Sequence, residues 1–568
     1  MKVKIILMVL LLATSLAAFL HLTAMAQIPE QVPNWPFTLP TNGLLNHRAT
    51  IRFGSDFGEQ HLYWNTVSGE VDKFNMDGAF FPGWPVIIDT LYFRDNPAVV
   101  DIDHDGIDEV VTGGYRVHNA YDLIYAIDDD GSIMPGWPVR LRYPSLNVAD
   151  LDNDNEYEII CYSEVDSIFC FDHAGNPKPG WPIPFHLPGV ESWGGPGRGA
   201  IGDLDLDGTN EFILGWIWNI YAFRHDGSMM PGFPIHLEDT TYVFYNGVEP
   251  PALADIDGDG YLEILTAGDN WSVDNPENFT GFVAVYDHQG NMESGWPMIF
   301  PNQIIWSAVT PADIDGDNTL EIGFKTNAMY FVHSNGELLP GWPSQNVASN
   351  NDLIIVDLDG DRDCEIFTDY NILHHDDQGP YGLLFALDHL GQFLPDYPIR
   401  TRGSYLQLPP TFALNETNHR LYMGLADHTS EYHYLELFQF PDSTGPPDQW
   451  PMNSHDNLST RNYNFVDRVT SINDEGQEIL PRNIILKQNY PNPFNFSTII
   501  EFVLPREEHV TLSLYDILGR KIKDLVNGEV SAGAHAQRVA LSNLSSGVYY
   551  YVLQTPTTRV SRKMVLLK

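Results

Sequence analysis

Positive charge is what this chain has least of: 30 Lys and Arg stand against 76 Asp and Glu in 568 residues, a formal net charge of −46. A protein that grips phosphate backbones needs a basic stripe, and the first 486 residues hold none, so nucleic acid is excluded as a partner. Cysteine is almost absent. Only Cys161, Cys170 and Cys364 occur, with no Cys-x-x-Cys or Cys/His spacing, which leaves zinc without support. Cys161 and Cys170 flank a short turn, where they are either a cross-hairpin pair or two small buried residues. Long apolar runs are missing except at the start. Lys2 and Lys4 precede an apolar run from Ile5 to Leu20, and Ala24-Met25-Ala26 follows as a small-x-small cleavage site. Residues 1–26 therefore read as a secretory signal peptide, with a signal anchor as the alternative, and no later stretch is long enough to span a bilayer. There is also no nucleophile elbow and no Gly-rich phosphate loop.

What the chain has in excess is patterned acid. Six times an apolar run leads into carboxylates at positions 1, 3, 5 and 9 of a tight loop. The sets are Asp101, Asp103, Asp105 and Glu109; Asp150, Asp152, Asp154 and Glu158; Asp203, Asp205, Asp207 and Glu211; Asp255, Asp257, Asp259 and Glu263; Asp313, Asp315, Asp317 and Glu321; and Asp357, Asp359, Asp361 and Glu365. Ca2+ is a hard cation that takes six to eight oxygens, and alternating Asp residues in a tight loop turn several inward. The pattern predicts up to six bound Ca2+. Without the ions the carboxylates repel one another, so the metal-free protein is expected to be looser and more protease-sensitive. Position 6 is Gly106, Asn155, Gly208, Gly260 and Asn318 but Arg362 in the last loop, which marks that loop as the weakest site. Abundant paired carboxylates also strip such pairs of value as a glycosidase signal.

The repeat is larger than the loop. Each cluster is followed by strand-like alternation such as Ile124-Tyr125-Ala126-Ile127, a turn, and a Gly-Trp-Pro-like ending. The aromatic of that ending recurs at Trp35, Trp84, Trp137, Trp181, Phe233, Trp296, Trp342, Tyr397 and Trp450. These marks bound eight units of a length typical of radial repeats. The fold class predicted is all-β: a β-propeller of eight blades over residues 27–452, with seven as the alternative. The first unit has a degraded loop with Ser55, Asp56 and Glu59, and the last has Asn415, Glu416 and Asn418. The N-terminal strand is expected to complete the last blade.

The six loops with their preceding strands resemble the FG-GAP and VCBS-type repeats of integrin α-chain propellers and bacterial surface proteins. That resemblance implies the same twenty-four carboxylates as metal ligands, although the literal Phe-Gly and Gly-Ala-Pro elements are absent.

After Trp450-Pro451 the character changes. Residues 453–486 read as a polar linker, and from Lys487 ten Lys and Arg face six Asp and Glu. Alternating runs at 499–504, 510–515, 537–541, 548–553 and 563–567 predict a small C-terminal β-sandwich over residues 487–568. The stretches Asn489-Tyr490-Pro491-Asn492-Pro493-Phe494-Asn495, Leu518-Gly519-Arg520, Gly533 with His535, Ser546-Gly547-Val548-Tyr549 and Ser561-Arg562-Lys563-Met564 closely resemble a type A C-terminal sorting domain of the bacterial type IX secretion system. The resemblance implies the secretion machinery as partner, and a destination that is secreted or attached to the outer surface.

For the cargo two function classes stand. The first is a non-catalytic binding or adhesion module for a glycan or surface protein. Its candidate contacts are the aromatic-bearing insertions at 190–199 with Trp193, at Trp216 and Trp218, at 269–280 with Trp271, and at 369–381. The alternative is a polysaccharide lyase or hydrolase, for which Arg116, His118 and Arg198 are the one suggestive set. Histidines beside the Gly turns (His173, His225, His288, His333, His389) read as exposed hairpin tips, and His374-His375-Asp376-Asp377 as a polar loop.

Overall fold

The structure is a computed structural model that describes residues 29–440 and 485–566 apart from connecting stretches, the longest being 185–198 and 238–248, together with Asn462. All regular elements among the described residues are β-strands. Up to residue 440 they form eight successive antiparallel sheets of four to six strands and one two-stranded sheet.

The third sheet after the start shows the plan: an inner strand Pro144–Ala149, the acidic loop, Glu158–Ser163, Ser167–Phe171, and a short outer strand Ile183–Pro184, each hydrogen-bonded to the next. Alternation along these strands sends side chains to two faces, and both faces are buried. In the first sheet Tyr63 packs toward the second sheet with Val99 and Val110, while Leu62 and Trp64 pack toward the last with Tyr422 and Leu435. Cores of this kind join each sheet to its neighbour, and the seventh to the eighth through Phe367, Phe412 and Met423. The first sheet is thus packed on the last, and the sheets form a closed ring, a β-propeller. Closure is also hydrogen-bonded, because Glu30–Gln31 and Phe37–Pro40 pair with Tyr432–Phe440 and so complete the last sheet, as expected from the sequence.

The Gly-Trp-Pro endings turn out to be latches between sheets. The indole N–H of Trp84 donates to the carbonyl of Asp129 at 2.8 Å, Trp137 to His173 at 3.0 Å, Trp181 to His225 at 2.9 Å and Trp342 to His389 at 2.9 Å, each time reaching the outer hairpin of the following sheet. The glycine before the indole lets this happen. Gly136 has φ 94°, and a Cβ there would overlap the carbonyl oxygen of Ala174. In the eight repeat endings from Trp35-Pro36 to Tyr397-Pro398 the aromatic-Pro bond is cis. Trp450 lies outside the described residues.

In the first sheet the acidic loop is replaced by a tight hairpin in which Asp56 faces Glu59, and in the last Asn415 faces Arg420. All three cysteines are free and buried, which settles Cys161 and Cys170 as small core residues. His374–Asp376 is a strand paired with Gly379–Tyr381, where the sequence suggested an extended polar loop between strands. Within the stretch read as a linker, Asn462 is buried at the ring's inner edge: its amide donates to the Ile201 carbonyl at 3.0 Å and its backbone bridges Leu253.

The C-terminal module has two sheets, one of Ile485–Leu486, Ser497–Leu504 and Gly533–Ala540, the other of Lys521–Val530, Glu508–Asp516, Gly547–Gln554 and Arg559–Leu566. Ile500, Phe502 and Val539 from the first pack on Leu512, Leu514, Tyr551 and Met564 from the second, which makes it a β-sandwich. The strand Lys521–Val530 escapes a reading by alternation because it is polar and slips register twice against its partner.

Candidate metal centres

Every acidic loop joins the inner strand of a sheet to the second strand, in sheets two to seven. One bond defines them all. The position-9 glutamate, at the start of the second strand, accepts the N–H of position 2 through Oε2: Glu109 from Ile102 at 2.9 Å, Glu158 from Leu151 at 2.8 Å, Glu211 from Leu204 at 2.9 Å, Glu263 from Ile256 at 2.9 Å, Glu321 from Ile314 at 3.0 Å and Glu365 from Leu358 at 2.8 Å. The position-1 aspartate accepts later loop N–H groups, as Asp203 does from Asp207 and Gly208, both at 3.1 Å. Position 5 caps its own turn, with Asp259 accepting from Tyr261 at 2.8 Å and Asp317 from Thr319 at 2.8 Å. Each loop is therefore shaped by its own carboxylates.

Asp101, Asp103 and Glu109 bring one oxygen each within 4.8 Å of one another, as do Asp150, Asp152 and Glu158; Asp203, Asp205 and Glu211; and Asp255, Asp257 and Asp259. Positions 1, 3 and 9 converge in the first three, and positions 1, 3 and 5 in the fourth. In the loops at Asp313 and Asp357 the same aspartates lie close enough to raise the pKa of Glu321 and Glu365.

Burial, reinforced by those like charges, pushes the position-9 glutamates far up: Glu109 to about 10, Glu365 to about 9, and Glu211, Glu263 and Glu321 to about 8. Buried oxygens Asp205 Oδ1, Glu211 Oε1 and Asp315 Oδ1 have no hydrogen-bond partner in the protein. A crowded, desolvated, all-oxygen donor set with unmatched lone pairs fits a hard divalent cation.

Several residues of the site were not visible in the sequence. Position 4 is left-handed as well as position 6: His104 has φ 63°, Asn153 58°, Leu206 57°, Gly258 77° and Gly316 71°. Arg362, the odd residue at position 6, adopts φ 80° and donates to Asp357 Oδ2 at 3.2 Å, so the last loop keeps the common turn despite its side chain. The hairpin histidines are part-exposed at their turns, as expected, and also border acidic groups. His173 Nδ1 lies 3.4 Å from Glu156, His333 Nδ1 3.7 Å from Glu321 and His389 Nδ1 3.3 Å from Asp363, while His288 stacks on Tyr261. Two cations also enter the loops. Lys178 Nζ contacts Glu158 Oε1 at 2.7 Å and Asp152 Oδ2 at 2.9 Å, and Arg224 contacts Asp205 at 2.5 Å and Asp207 at 3.3 Å.

Neighbouring loops are tied together. Asn210 donates to the carbonyls of Leu151 and Asp150 at 2.8 and 2.7 Å, and the Cys364 N–H to that of Ile314 at 2.9 Å. Of the expected contact aromatics, Trp216 is buried in the core between sheets three and four and is no surface group. Trp193, Trp218, His118 and Arg198 lie outside the described residues, as do the side chains of Arg116 and Trp271.

Comparison with known proteins matches two family models. An FG-GAP-like repeat covers residues 255–324, and a secretion system C-terminal sorting domain covers residues 488–567. No curated protein matches. Similar solved structures include BBS1N in complex with ARL6DN, soaked with lead, at 13% identity, a TM-score of 0.33, and coverage of 65% of this chain and 98% of that one. The same complex soaked with mercury gives 14% identity, a TM-score of 0.33, and 63% and 96% coverage. PorZ of Porphyromonas gingivalis, a bacterial surface component of the type-IX secretion system, gives 12% identity, a TM-score of 0.29, and 92% and 71% coverage.

Proposed function

For a chain that carries an FG-GAP-like repeat and a type IX sorting domain, we propose the role of an extracellular, calcium-stabilised binding or adhesion module that performs no catalysis. The sorting domain marks it for the type IX machinery, which delivers proteins to the cell surface or releases them. In this reading residues 1–26 are the signal peptide, 27–452 an eight-bladed propeller, 453–486 the connection and 487–568 the sorting domain.

The observation that carries the calcium part is that three carboxylates of one loop bring an oxygen each within 4.8 Å of one another in the loops opening at Asp101, Asp150, Asp203 and Asp255. Positions 1, 3, 5 and 9 would hold the ion, which supplies charge neutralisation and fixes the loop; the chain's own N–H groups already set the loop's shape. What supports a binding role is a rigid ring whose outer hairpins repeat an exposed apolar side chain: Phe80, Ile133, Met229, Met292, Leu338 and Phe393, each 36–48% exposed. The acidic field favours neutral glycans or cationic protein patches over polyanions.

A glycan array probed with and without chelator, followed by reducing-sugar and lyase assays on every hit, tests the proposal. Calcium-dependent binding without turnover is the expected result. Turnover of a bound polysaccharide would replace this reading with the enzymatic one.

A further inference from the structure

We propose that the loop opening at Asp150 takes no divalent cation, because the ammonium of Lys178 stands where the ion would. This rests on the calcium reading of the other loops. In every sheet with an acidic loop, the residue three before the latch aromatic donates its N–H to the third strand: Met134 to Ala126 at 2.9 Å, Lys178 to Cys170 at 2.9 Å, Met230 to Ala222 at 2.9 Å, Glu293 to Val285 at 2.9 Å, Leu339 to Phe331 at 3.1 Å and Leu394 to Ala386 at 2.9 Å. The backbone position is the same throughout, and in the third sheet the side chain reaches the acidic loop of its own sheet. Four sheets place Met or Leu there, the fifth a Glu, and the third alone a cation.

Lys178 is long enough to use the opportunity. Its Nζ lies 2.7 Å from Glu158 Oε1, 2.9 Å from Asp152 Oδ2 and 3.8 Å from Asp154 Oδ2, so one ammonium meets the carboxylates of positions 3, 5 and 9. Glu158 is left with no free oxygen, since Oε2 already accepts from Leu151. An ion and an ammonium cannot share that point without strong like-charge repulsion. Arg224 in the next sheet differs. It reaches Asp205 Oδ2 and Asp207 Oδ2 but not the position-9 glutamate: Asp152 Oδ1 and Asp205 Oδ1 are unpartnered alike, whereas Glu211 Oε1, unlike Glu158 Oε1, keeps no partner, so the Asp203 loop stays available.

The test is ion stoichiometry. Mature wild-type protein and Lys178→Met, which copies Met134 and Met230, are dialysed against Ca2+ and the bound metal is counted by elemental analysis and native mass spectrometry. The variant is expected to bind one more Ca2+ per chain than the wild type, and Lys178→Arg the wild-type number. Equal counts for wild type and Lys178→Met would overturn the inference. In the wild-type background Asp152→Asn is expected to leave the count unchanged; loss of an ion would overturn the inference without requiring the Lys178 variant to fold. One ion on Lys178→Met and none on the wild type would keep the inference and remove the calcium reading of the other loops. No ion on either protein would remove both.

Discussion

The ring and the C-terminal sandwich are both antiparallel β-structures, yet they solve the problem of burial in opposite ways. The sandwich presses two sheets around one core of Leu512, Leu514, Tyr551 and their neighbours, and its charge balance is mildly positive. The ring spreads its core over successive sheet pairs and places an acidic loop at the entry to the second strand of six of them. The first design depends on apolar contact alone. The second adds a conditional element, because buried glutamates pushed to about 8 to 10 must either hold a proton or meet a cation. A carrier domain and its cargo can thus respond differently to the same solution.

Chelation should separate the two most widely. A site held at a hundredfold excess over its Kd contributes about 2.7 kcal/mol, so emptying several sites lowers ring stability by on the order of 10 kcal/mol. Calorimetry at pH 8 is expected to show the ring transition falling steeply on EDTA addition while the sandwich transition stays in place. A ring transition indifferent to chelator would erase the contrast.

The pH dependence of the metal-free ring follows with a definite sign. Its position-9 glutamates have folded pKa values raised above the ordinary value of 4.5, so their contribution is fully present below about pH 4.5 and is lost as pH climbs toward 8 to 10. The apo melting temperature should fall across that window, and added Ca2+ should flatten the curve. A melting temperature that rises with pH in the presence of EDTA would contradict the assignment.

The reverse perturbation is a core truncation in the sandwich. Leu514→Ala should cost about 2–5 kcal/mol and remove the sandwich transition, leaving the ring's response to Ca2+ untouched. Smaller still is the latch. Trp137→Phe copies Phe233 and deletes the bond to the His173 carbonyl, at about 1 kcal/mol in denaturant unfolding of the ring. The smallest effect is a gain: Leu206 sits at φ 57° with its side chain largely exposed, and Leu206→Gly should stabilise by roughly 1 kcal/mol.

Much of this was legible in the order of residues. The loops and latch aromatics could be read because their chemistry demands fixed residue types at fixed spacing: carboxylates at alternate positions, and an indole after a glycine that touches a neighbouring carbonyl. Position 4 could not, since His104, Asn153, Leu206 and Gly258 share a backbone conformation and no side-chain chemistry. Lys178 was hidden for another reason. It is twenty residues from Glu158, and only the register of Ser167–Phe171 against Glu158–Ser163 brings the two together. The hairpin histidines were read as exposed tips, and His173 and His333 keep 42% of the side chain exposed; what a Gly turn could not show is that the hairpin also borders the acidic loop of its own sheet. Trp216 was misjudged because an aromatic beside an insertion resembles a contact residue, yet here it fills the space between two sheets.

Asn462 has a consequence for traffic through the molecule. The chain leaves the last strand at Phe440, and twenty-two residues later it is fastened to Ile201 and Leu253, on the far side of the circuit from where it departed. Asn462 thus covers the inner edge where sheets four and five meet, and a visiting molecule cannot use the Ile201 carbonyl there.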